Sequence, residues 1–133
     1  MTQWGSGYTV SPDISLVSGI PNSDIVDFVF NKNAKDVKEI RYSLVYDQKK
    51  LQFGENLSHF EGCSIDTQQV NPLLLSVALT CNKSQDFEKD IPIISHTITH
   101  INNSKDAVIN IVSIEFTTKD GSVYELAGKS KVY

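Results

Sequence analysis

The stretch "RYSLVYDQKKLQF", residues 41–53, decides how the chain is read. Tyr42, Leu44 and Tyr46 recur at every second position, the spacing of side chains that share one face of a β-strand. The alternation breaks at the polar residues Asp47–Lys50 and resumes with Leu51 and Phe53. A strand, a tight charged corner and a second strand account for the pattern, with Tyr42, Leu44, Tyr46, Leu51 and Phe53 directed inward. Carried upstream, the same phase puts Ile40 in the core. It turns Glu39, Arg41, Ser43 and Val45 to the opposite face.

Period two holds along most of the chain, with no heptad, repeat or low-complexity tract and no convincing helix. Strands are expected in "DISLVSG" (13–19), "DIVDFVF" (24–30), Val37 to Asp47, and Leu51 to Phe53, with another edge strand near Phe60. "PLLLSVALTC" (72–81) alternates Leu73, Leu75, Val77, Leu79 and Cys81 in phase, and "NKSQDFEKD" (82–90) reads as a charged loop. "IPIISHTITHI" (91–101) and "AVINIVSIEFTT" (107–118) follow. "KDGS" (119–122) predicts a hairpin with a type I′ turn, after which "VYELAG" pairs back. About nine short strands separated by turn signals predict an all-β fold, an antiparallel jelly-roll β-sandwich. Residues 1–12 read as a flexible leader and 13–133 as a single domain, with the solitary Met1 pointing to a domain excised from a longer chain.

Composition excludes several functions. Forty per cent apolar and 21% charged residues describe neither a disordered chain nor a membrane protein. The longest apolar run is about half of what a helix needs to cross a bilayer. A net charge of −4 opposes binding to nucleic acid. Cys63 and Cys81 are either a disulfide of an exported domain or two buried thiols, and the inward phase of Cys81 favours the bridge. Sequons stand at Asn56, Asn82 and Asn102.

Chemistry-bearing patterns are sparse. His96 and His100 are four apart, but on a strand that separates them by roughly 13 Å, too far for two ligands of one metal. They read as structural or edge histidines, so no metal and no cofactor is expected. None of the serines lies in a nucleophile elbow, His59 reads as a solvated loop residue, and Asp47, Glu55, Glu61 and Asp66 read as loop charges. No catalytic residue emerges, and the chain is not expected to be an enzyme. A sugar-binding face would need several coplanar exposed rings, for which only Tyr8, Tyr124 and Tyr133 remain once Trp4 is assigned to the leader and Tyr42 and Tyr46 to the core.

Beside this reading stands a resemblance. "EIRYSLVYDQKKLQF" resembles the signature strand of cohesin domains, which ends in Tyr-Asp, crosses a short polar corner and resumes with Leu-x-apolar; Tyr46, Asp47, Leu51 and Phe53 match that spacing. "SDIVDFVFNKN", "ISHTITHI" and "AVINIVSIEF" are similar to other strands of the family, so the resemblance spans roughly residues 13–126. It implies a nine-stranded jelly-roll, extracellular or at the cell surface within a longer secreted protein. The implied role is a non-catalytic module that binds a dockerin-type partner to assemble a surface or secreted complex. The outward residues of the signature strand, Glu39, Arg41, Ser43 and Val45, become the expected partner-binding set, where some members carry Asn and Asp. Two other readings use the same sandwich: a structural or adhesive domain of a surface protein, and a carbohydrate-binding module. An apolar patch exposed on the sheet of residues 38–46 would favour the first reading, a uniformly polar exterior the second, and two or more exposed rings on one face the third.

Overall fold

The computed structural model describes residues 12–20 and 23–132, which form ten strands: β1 (Pro12–Ile20), β2 (Ser23–Phe30), β3 (Ala34–Val45), β4 (Leu51–Ser58), β5 (Cys63–Asn71), β6 (Leu74–Phe87), β7 (Ile94–His100), β8 (Val108–Thr118), β9 (Val123–Leu126) and β10 (Lys129–Val132). One short 3-10 turn, Ile101–Asn103, joins β7 to the segment before β8. The strands build a four-stranded sheet in the order β1-β2-β7-β4 and a six-stranded sheet in the order β10-β8-β3-β6-β5, with β9 also pairing β8. All pairings are antiparallel. The two sheets form the expected β-sandwich. Most of the expected leader, including Trp4 and Tyr8, and Tyr133 at the other end lie outside the described residues, although Pro12 already belongs to β1.

The core lies between the sheets and is built by alternation. Val26, Phe28 and Phe30 of β2 and Ile94 and Ile98 of β7 face Ile40, Tyr42 and Leu44 of β3, Val77 and Leu79 of β6, and Ile111 and Phe116 of β8. Phe28 stacks on Tyr42 with ring centroids 4.4 Å apart and planes 3° from parallel. Phe30 meets Phe87 and Phe116 edge-on or tilted. Such offset and edge contacts add to the apolar burial of each ring.

The Asp47 corner joins the two sheets rather than two neighbours in one sheet. β3 lies inside the six-stranded sheet and β4 at the edge of the other, so the chain must cross the sandwich between them. Asp47 holds the crossing: its carbonyl accepts from the N–H groups of Lys50 and Leu51, and its carboxylate accepts from the N–H of Lys49 at 2.8 Å. An aspartate side chain that satisfies the backbone two residues on is a common turn device. It explains why a charged residue directly follows Tyr46 without interrupting the core on either side.

Four details depart from the sequence reading. β6 runs to Phe87, six residues past the expected strand end at Cys81, because Phe87 is buried against Phe30 and Phe60 and pairs with Ala34. The polar residues before it conceal this, since β6 takes five steps from Thr80 to Gln85 while β3 takes two from Glu39 to Val37. Leu73 belongs to the turn before β6 and is exposed, so the buried series starts at Leu75. Only Gly121 of the β8–β9 turn has positive φ, at 89°, which makes a three-residue loop closed by a glycine bulge rather than a type I′ turn. β10 was not expected; the chain reaches it by passing Gly128 over β8, where a Cβ would stand 2.5 Å from the Ile111 carbonyl oxygen.

Candidate docking face

The outer face of the six-stranded sheet assembles the residues singled out on β3. Register places them in rows across the sheet. Glu39 stands between Thr80 and Thr117, with Ser64 beyond Thr80. Arg41 stands between Ala78 and Glu115, flanked further out by Asp66 on β5 and Glu125 on β9. Ser43 lies between Ser76 and Val112, and Val45 between Leu74 and Asn110. The expected common face of Glu39, Arg41, Ser43 and Val45 therefore exists, and its middle rows are floored by small side chains.

A bulge in β8 decides what shares the face. Between the Arg41–Glu115 and Ser43–Val112 pairs, β3 advances two residues and β8 three. Ser113 is the extra one, with φ 53°. An inserted residue resets the alternation of a strand, so Ile111 and Ile114 both point inward while Val112 and Glu115 both point out. Strict alternation through "INIVSIEF" cannot place Glu115, which is why the sequence reading missed it.

The two ends of this face differ in character. At the Val45 end, Val45, Leu74 and Val112 are half-buried, Val108 is 41% exposed, and Val70 and Leu73 in the adjoining β5–β6 turn are each 55% exposed. The other end is charged. Arg41 is engaged there within the sheet, its guanidinium 3.1 Å from the Glu39 carboxylate, and the hydrogen bond and charge of Glu39, with the more distant charge of Glu115, hold its pKa above the usual value.

Two polar clusters lie elsewhere. Inside the sandwich the Tyr42 hydroxyl is 2.6 Å from His96 Nε2, and His96 Nδ1 is 2.5 Å from Asn56 Oδ1. The amide oxygen of Asn56 accepts only, so Nδ1 carries the proton and Nε2 accepts from Tyr42. Burial pushes the His96 pKa down to about 4 and that of Tyr42 well up, so both are neutral at pH 7. With both ring nitrogens committed, His96 is a structural bridge between the sheets. Asn56, the first sequon asparagine, is tied up in the same string.

The second cluster is Asp27, Ser95 and His59. Ser95 Oγ donates to Asp27 Oδ1 at 2.5 Å and lies 2.6 Å from His59 Nε2. His59 is thus docked on β7 rather than simply solvated, and Asp27 is 8% exposed. Nucleophilic catalysis needs the histidine between serine and carboxylate, so that the imidazole can take the hydroxyl proton. Here the serine is in the middle and its proton is committed to Asp27. His59 must therefore donate, and the order is that of a loop anchor.

A cleft of about 420 Å³ at the open edge of the sandwich is lined by Gln48, Gln52, Gln69, Tyr46 and Phe53 among others, with no carboxylate pair for acid–base chemistry in its lining. Among the described residues, no group of three metal-ligating side chains comes together, and every aromatic ring is buried or half-buried. The exposed Tyr platform that the sugar reading requires is therefore missing among them, since Tyr124 is partly buried against the core. No helix among them is long and apolar enough to cross a membrane. Cys63 and Cys81, directly opposite on β5 and β6, form a disulfide that ties edge strand β5 to the sheet.

No protein-family model matches the sequence, and no curated protein matches it. Solved structures do match. A cohesin module from a Clostridium perfringens family 33 glycoside hydrolase superposes with a TM-score of 0.79 at 15% identity, covering 93% of this chain and 94% of that one. The chain has the cohesin fold. The sixth cohesin of Acetivibrio cellulolyticus scaffoldin B, solved in complex with a Cel5 dockerin variant, matches this cohesin-like domain with a TM-score of 0.69 at 14% identity, over 92% of this chain and 96% of that one. A non-cellulosomal cohesin from the archaeon Archaeoglobus fulgidus matches at 0.67 and 16%, over 93% and 90%. At such identities the likeness covers the sandwich fold but assigns no side chain a role.

Proposed function

We propose that this cohesin-like domain is a non-catalytic, extracellular protein-recognition module that binds a dockerin-type helical partner on the outer face of β8-β3-β6-β5, as part of a longer secreted or surface protein. The observation that carries the reading is the apolar end of that face, formed by the half-buried Val45, Leu74 and Val112 and the exposed Val108, beside rows of small side chains. Some neighbours of the same fold were solved with dockerins bound, which supports a protein partner of that kind.

The dimensions suit one helix. From Val45 to Glu39 the strand runs six residues, about 20 Å, the length of a helix of roughly 13 residues. Four strands at about 4.8 Å spacing span some 14 Å, somewhat wider than a helix with its side chains. Val45 and Leu74 are the apolar anchors, Ser43, Ser76 and Ala78 allow close approach, and Glu39 and Arg41 form part of the polar rim. Because Arg41 is already paired with Glu39, it orients that carboxylate more than it offers a free cation.

The test is titration calorimetry with dockerin-type modules from the source genome. Val45→Asp, which sets a charge in the apolar end of the face, is expected to weaken binding at least tenfold. Equal binding by Val45→Asp and the parent protein overturns the assignment of the face.

A further inference from the structure

The charged half of the outer face is strongly unbalanced. Glu39, Asp66, Glu115 and Glu125 share the outward phase of β3, β5, β8 and β9, and the only cation in their rows is Arg41. Four carboxylates against one guanidinium leave −3, most of the chain's net −4. Lys38, at the margin, gives its ammonium to the Asn82 carbonyl at 2.9 Å. Neither Asp66 nor Glu125 has an ion-pair partner among the described residues, and both are exposed.

The register makes the imbalance specific. Glu115 and Glu125 are direct cross-strand partners on β8 and β9. Like charges directly opposite each other destabilise a ladder. A cation seated over the pair relieves that repulsion, and two such carboxylates can flank one ammonium or guanidinium. Val45 and Leu74 at the other end offer no charge at all. The face is therefore polar along its length, acidic at one end and apolar at the other, over a distance that a single helix can bridge.

We propose that the partner helix is itself polarised, setting Lys or Arg side chains against Glu39, Asp66, Glu115 and Glu125 and apolar side chains against Val45 and Leu74. This rests on the docking reading above and adds the chemistry of the partner. Complementary charge of this kind acts mainly on the rate of association and on the choice of partner, and is screened by salt.

The experiment measures association kinetics for each dockerin-type module encoded in the genome that carries this chain, each produced singly, against the parent protein, Glu115→Gln/Glu125→Gln and Val45→Asp. The proposal expects a binder that carries a net positive charge on its contact helix. Its association rate should fall at least fivefold in the double variant and should depend less steeply on salt there than in the parent. The double variant should also unfold at a temperature no lower than the parent, since it removes a repulsion. Binding that Val45→Asp abolishes, yet that neither the double variant nor salt changes, overturns the charged recognition and leaves the docking face standing. Binding indifferent to Val45→Asp, or no binder in the whole set, overturns the docking face and this inference with it.

Discussion

Acid should weaken the fold through one identifiable residue. His96 is buried with both nitrogens committed, and its pKa in the folded protein is lowered by burial to about 4, against an ordinary value of 6.5. The unfolded chain therefore takes up a proton at higher pH than the folded one. Stability due to neutral His96 is fully present above pH 6.5 and is lost as the pH falls from there to about 4. Integrated over that window, the loss is about 3 kcal/mol at pH 4, a large share of the 5–15 kcal/mol typical of a domain. The assay is urea unfolding at half-unit steps from pH 7.5 to 4 for the parent and for His96→Phe, a ring of similar shape placed among Phe53, Tyr42 and Asn56. Carboxylates titrate alike in both proteins and cancel in the difference. His96→Phe is less stable than the parent at pH 7.5, because Tyr42 and Asn56 lose their partner, but the gap closes by about 3 kcal/mol towards pH 4. Parallel curves for the two proteins would refute the reasoning.

Three further outcomes test the fold. Reduction of the Cys63–Cys81 bridge, which closes a separation of 18 residues, should cost about 3 kcal/mol in urea unfolding, and thiol titration of the denatured, unreduced protein should find no free thiol. Gly128→Ala forces a Cβ against the Ile111 carbonyl and should lower stability by about 1–3 kcal/mol, whereas Gly62→Ala, with open space around it, is limited by its positive φ alone. Phe87→Ala should cost about 3–5 kcal/mol, as expected of a buried ring, while a residue in a solvated loop would change stability by no more than about 0.5 kcal/mol.

How far the sequence carries depends on how regular each strand is. β3 and the position of the corner were legible because Tyr42, Leu44 and Tyr46 alternate without interruption and Asp47 satisfies its turn locally, but that the corner crosses from one sheet to the other was not. The inward phase of Cys81 favoured the Cys63–Cys81 bridge over two buried thiols, and the fold forms it. Phe87 was hidden by the polar run that bulges out before it, and β10 by a short Lys- and Ser-rich sequence that pairs only at an edge. Phase errors mattered most at the site. Glu115 and Val112 share a face with Arg41 because Ser113 adopts a left-handed conformation, and nothing in "INIVSIEF" announces an αL serine. Asp27, Ser95 and His59 are far apart in the chain, and only the fold reveals that Ser95 links a docked histidine to a buried acid.

The central claim, a docking face on β8-β3-β6-β5, is tested most directly by backbone amide chemical-shift mapping of the labelled protein with a dockerin-type module from the same genome. The account predicts perturbations concentrated at Val45, Ser43, Ser76, Ala78, Val112 and Glu115. Perturbations concentrated instead on the outer face of the four-stranded sheet, around Thr97, Thr99 and Leu57, would contradict it.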